Sequence, residues 1–82
     1  MISKADKKKI QKIIGHRYVA DVQSCLKQWG IVNKDGEEHS ASMITNVMNG
    51  TPHDDIEAAI YEVVSQKKEA AKKRKDLLKL NG

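Results

Sequence analysis

Apolar residues recur three and four positions apart over most of the chain, and the breaks in that rhythm fall mainly at glycines. Ile10, Ile13 and Ile14 mark the buried face of a first helix, which Ser3 followed by Asp6 caps at Lys4 and Gly15 ends or bends. From Arg17 to Trp29, the residues Tyr18, Val19, Val22, Cys25, Leu26 and Trp29 form a strong amphipathic stripe, ended by Gly30. Trp29 is expected to be a hydrophobic plug at the domain edge, because no second aromatic interleaves with basic residues around it as in a base-stacking platform. Between Ile31 and His39 the rhythm stops. Asp35-Gly36 makes a turn there, in a surface loop or a small irregular hairpin. Ser40 and Gly50 then bound a short helix whose inner face is Ile44, Val47 and Met48.

Thr51-Pro52-His53-Asp54 supplies a cap, a proline at the first helical position and an acid in the first turn. Ile56, Ala59, Ile60, Val63 and Val64 follow as a core stripe. Beyond Ser65 the stripe thins to Ala70, Ala71, Leu77, Leu78 and Leu80 among lysines, although the composition still favours helix. Positions 56, 63, 70 and 77 lie seven apart, the spacing of a short dimerising seam. The pattern predicts an all-α protein, a compact four- or five-helix domain over residues 1–66, with 67–82 as a basic helical extension or a solvated tail.

One face breaks with the rest. On the helix between Ser40 and Gly50 the outward residues are Ser42, Thr45, Asn46 and Asn49, polar yet uncharged, in a chain that is 32% charged. A merely solvated face would carry Lys or Glu, as the other helices do. Short hydrogen-bonding side chains suit a surface that must come close to its ligand, and base edges in a DNA major groove offer matching donors, acceptors and methyl groups.

Length and charge narrow the class. At 82 residues there is room for one core only, and two Tyr, one Trp and no Phe leave that core to aliphatic side chains, which suits packed helices rather than a β-sandwich. The formal charge is +4 and the pI about 9.3. The cations cluster at Lys4, Lys7, Lys8, Lys9 and Lys12 and again from Lys67 to Lys79, which points to a polyanion or, more plainly, to solvated ends. The only cysteine, Cys25, sits on a core face and has no partner for an internal disulfide, and no apolar run spans a bilayer or resembles a signal peptide; a cytoplasmic location is expected.

Catalytic and metal-binding patterns are missing. His16, His39 and His53 stand on different segments without metal-ligand spacing, and Asp35, Glu37 and Glu38 lack the ordered spacing of a calcium loop. No nucleophile elbow, phosphate-cradling glycine loop or apolar carboxylate pair occurs, and Cys25 faces the core. The expectation is a binding protein rather than an enzyme, with no cofactor and no evident small-molecule substrate.

The run Ser40-x-Ser42-x-Ile44-x-x-Val47-x-Asn49-Gly50, followed by a capped helix with Ile56, Ala59 and Ile60, resembles the helix-turn-helix core of the lambda-repressor-like (Cro/C1-type) regulators. The resemblance runs from Tyr18 to Val64. It implies that the 40–49 segment is a recognition helix, with base contacts from Ala41, Ser42 and Asn46, Thr45 adjacent, and backbone contacts from Ser40, Asn49 and Thr51. Where the family joins its two motif helices by a tight turn, this sequence has the longer stretch Ile31 to His39, so the expected motif carries an unusually long inter-helix loop. Lys8, Lys12 and Arg17 are further expected phosphate contacts, on charge. With no arginine on the face, readout would rest on Asn46 against adenine, on Ser and Thr contacts, and on DNA shape.

The function expected is sequence-specific binding of double-stranded DNA by a homodimeric transcriptional regulator. The rival is a helical protein-interaction module. Lysines flanking the Ser42–Asn46 face favour the first; a surround of Glu37, Glu38, Asp54 and Asp55 favours the second.

Overall fold

The structure is a computed structural model that describes residues 1–81; Gly82 lies outside the described residues. It is all-α with four helices: α1 (Lys4–Ile14), α2 (Val19–Gln28), α3 (Ala41–Met48) and α4 (Asp54–Asn81). No strand occurs among the described residues, so the 31–39 segment is a loop and not a hairpin. The helix α4 is the common wall: α1, α2 and α3 all pack on it, and α2 also packs on α3.

Local chemistry sets the ends. The Ser3 hydroxyl accepts from the Asp6 amide at 3.1 Å to open α1, and the Ser40 hydroxyl accepts from the Met43 amide at 3.2 Å to open α3. Both α2 and α3 close on a glycine in the left-handed region, Gly30 at φ 70° and Gly50 at φ 114°. In each case the residue after the glycine donates back to the last turn, Ile31 to the Leu26 carbonyl and Thr51 to the Asn46 carbonyl, both at 3.0 Å. These paired bonds satisfy carbonyls that the helix leaves open. Ser40→Ala is therefore expected to cost about 1 kcal/mol of stability, read as a lower urea midpoint at an unchanged slope.

The start of α4 lies two residues later than the Thr-Pro signal indicates. His53, not Thr51, holds the cap position: its Nδ1 accepts from the Ile56 amide at 3.3 Å, and its own amide donates to the Glu57 carboxylate at 3.3 Å. Glu57 also pairs with the Met1 ammonium, and chiefly that partner holds its carboxyl below the usual carboxylate range.

The core is made of Ile10 and Ile14 from α1, Val22, Cys25 and Leu26 from α2, Ile44, Val47 and Met48 from α3, and Ile56, Ala59, Ile60, Val63 and Val64 from α4. Ile13 is only partly buried beside it. One member has no periodic signal: Ile2, ahead of α1, is buried, whereas Tyr18, at the α2 cap, is buried as the first residue of its stripe. Trp29 does not plug the edge; it is 45% exposed at the α2 terminus. Ile56 and Val63 are committed to this core, so the seven-residue spacing does not make an exposed dimer seam along α4. From Ser65 to Leu78 every residue is exposed. At about 1.5 Å per residue α4 is roughly 42 Å long. Its projecting half accounts for the 52 Å long axis of the molecule.

Candidate nucleic-acid interface

The short helix α3 turns Ile44, Val47 and Met48 inward, and that fixes which residues face out: Ala41, Ser42, Met43, Thr45, Asn46 and Asn49 are all exposed. Their hydrogen-bonding capacity is unequally used. The Ser40 hydroxyl is engaged as the cap, and the Thr45 hydroxyl donates to the Ala41 carbonyl at 2.9 Å, which leaves its methyl and acceptor sites outward. The Asn49 side-chain oxygen accepts from Lys7 Nζ. Ser42 and Asn46 make no side-chain hydrogen bond to the other described residues. They stand next to one another at i and i+4, with unspent donors and acceptors.

Charge around α3 is asymmetric. At its C-terminal end the start of α1 lies alongside: Lys7 reaches Asn49, and a side chain at Gly50 would lie 3.6 Å from the Ile2 carbonyl. On the Met43 side a hollow of about 450 Å³ opens, lined by Val32, Lys34, Asp35, His39, Met43, His53 and Asp55 among others. One flank is therefore cationic, while on the other Asp35 and Asp55 outnumber Lys34 by one charge.

The loop that forms this second flank is internally braced. The Asn33 side chain accepts from the Asp35 and Glu37 amides at 2.9 and 3.0 Å, and the Asn33 amide donates to the Glu37 carbonyl at 2.7 Å. The Gln23 side chain ties the loop to α2 by donating to the His39 carbonyl at 3.3 Å. His39 is buried and meets the His53 ring edge-on, with centroids 4.9 Å apart. Residues 39 and 53 carry no pairing signal in the sequence, because folding of the loop alone brings them together. Among the described residues no three His, Cys, Asp or Glu side chains converge as metal ligands. Burial, with the Glu62 charge adding to it, pushes the Cys25 thiol up, so it stays protonated at neutral pH.

The residues singled out in the sequence thus fall into two groups. Ser40, Ala41, Ser42, Thr45, Asn46, Asn49 and Thr51 share one exposed surface along and just after α3. Lys8 and Lys12 are exposed on α1 but line hollows away from α3, Lys12 in company with lysines of α4. Arg17 is exposed in the α1–α2 connection. Lys7 is the lysine that reaches α3, and it was indistinguishable from its four neighbours in sequence because the rotation of α1 about its own axis decides it. The described residues hold no helix long and apolar enough to cross a membrane. Comparison with protein-family models, curated proteins and solved structures finds no match to this chain.

Proposed function

We propose that the protein binds double-stranded DNA and regulates transcription, with α3 in the major groove and α1 against the flanking phosphates. The observation that carries this reading is the pair Ser42 and Asn46. They are exposed, uncharged and free to bond, on a helix whose C-terminal end is met by Lys7. Asn46 is suited to a bidentate pairing with adenine, Ser42 and Thr45 to shorter polar or methyl contacts, and Ala41 to close approach. Ser40, Asn49 and Thr51 border the groove walls. A single eight-residue helix reads few bases, so two copies on a two-fold symmetric site supply useful affinity. The free buried thiol of Cys25 suits a cytoplasmic setting.

The test is a titration against a random duplex pool at low and near-physiological salt, with rounds of selection. A steep salt dependence and a selected symmetric motif are expected. The hollow beside Met43 favours a second reading: exposed Val32 and Met43, among Lys34, Asp35 and Asp55, suit a partly apolar protein segment. Absence of duplex binding at low salt would overturn the DNA reading in favour of this one.

A further inference from the structure

We infer that the groove between α1 and the projecting half of α4 is a separate site for a phosphodiester backbone, one that grips duplex nucleic acid without reading its sequence. Lys12 and Ile13 of α1 and Lys68, Ala71, Lys72 and Lys75 of α4 line this groove of about 440 Å³. Lys68, Lys72 and Lys75 share one helical face through their spacings of four and three, and the fold sets Lys12 opposite them. Like charges placed so close repel one another. No carboxylate lines the groove to relieve them. Lys67, the remaining lysine there, is directed to Asp21 of α2 at 3.7 Å. Among the described residues none of Lys12, Lys68, Lys72 and Lys75 has an acidic partner within salt-bridge distance. Ile13 and Ala71 give the groove an apolar floor on which the lysine stems can lie while their ammonium groups reach outward.

The charge pattern chooses the occupant. Between residues 67 and 78 only Glu69 and Asp76 oppose Lys67, Lys68, Lys72, Lys73, Arg74 and Lys75, so a second copy of this arm would be repelled. A lipid surface requires a continuous apolar face on the helix. Here Lys67 and Arg74 fall between the Ala70–Leu77 and Ala71–Leu78 positions and interrupt it. Duplex DNA carries one negative charge per roughly 1.7 Å of axis, a density that matches cations presented from two helices at once. The helix α1 then links two functions: Lys7 borders the α3 face while Lys12 borders this groove. The inference rests on the nucleic-acid reading for the identity of the polyanion, but not on α3 being the element that reads bases.

The experiment measures fluorescence anisotropy of a labelled random-sequence duplex against the full chain over a series of salt concentrations. It compares the K68Q/K72Q/K75Q variant with a control that removes three exposed charges elsewhere, K27Q/K34Q/K73Q. All six positions are exposed, so both variants should keep the wild-type circular dichroism and urea midpoint. The groove variant is expected to lose at least tenfold in affinity at low salt and to flatten the log–log salt slope by about 2 to 3, since each phosphate contact contributes about 0.9. The control should lose less than threefold. Equal losses in the two variants, or an unchanged slope in the groove variant, would overturn the groove site. So would tighter binding of wild type to phosphatidylserine vesicles than to duplex. The two readings fail separately: if N46A leaves base preference unaltered while the groove variant loses salt-dependent affinity, the α3 reading falls and the groove stands. Absence of any duplex binding by wild type removes both.

Discussion

Replacing Ile44 with alanine is expected to lower the unfolding free energy by about 2–5 kcal/mol, the range for truncating a buried isoleucine in a well-packed core. Ile44 is fully buried, together with Val47 and Met48 on the same face of α3 and with Ile56 and Ile60 of α4. Domains of this kind are stable by only about 5–15 kcal/mol in total, and a small one belongs near the lower end, so the substitution removes a large share. The helix it belongs to has eight residues, too few to persist without its packing. The variant should therefore show a reduced urea midpoint and, under conditions where it is partly unfolded, a proportional loss of any binding that uses α3. A loss below about 1 kcal/mol would mean that the site relaxes around the missing atoms and that α3 is docked more loosely than its burial implies.

The second large effect is expected at Asn46. Because its side chain is exposed and makes no internal hydrogen bond among the described residues, Asn46→Ala should leave stability nearly unchanged. On a selected operator it should cost about 1–3 kcal/mol at one base position, which is a loss of roughly 5- to 150-fold there, and little on random DNA. Competition titrations with operators altered one base pair at a time give the readout. Equal loss on all sequences would show that Asn46 meets the backbone, and no loss on any would remove α3 from the interface. Set beside Ile44→Ala, the two substitutions separate the inner and outer faces of one short helix: one acts through folding, the other through contact.

The helices were legible because their information is local. Spacing of three and four gave the inner faces of α1 to α4, and Ser3, Ser40, Gly15, Gly30 and Gly50 fixed most boundaries through side-chain caps and left-handed turns. What was not legible depends on tertiary placement. Ile2 and His39 are buried by segments distant in sequence, and neither lies in a periodic run. Position 53 outcompetes position 51 as the α4 cap because its imidazole meets the Ile56 amide and its backbone meets Glu57, details that a Thr-Pro signature conceals. The seven-residue spacing along α4 is real, yet its first half is absorbed by the core. The outward face of α3 could be read from its polarity. The division of the α1 lysines, Lys7 to α3 and Lys12 to α4, follows from how α1 is rotated on its neighbours, which periodicity in a lysine-rich stretch leaves undetermined.

The helix α4 leaves the globule partway along its length, and this has a thermodynamic corollary. An isolated lysine-rich segment the size of residues 65–78 would be marginally helical in water, since the first turn is costly to nucleate. Here the nucleus is already in place: Ile56, Ile60 and Val63 hold the preceding turns against the core, and each later residue need only propagate. The arm's order is borrowed from the globule at Val64 and diminishes with distance from it. Amide hydrogen exchange should accordingly quicken in a smooth gradient toward the C-terminus rather than in a step, so that the arm behaves as a fraying extension of one cooperative unit instead of a second one.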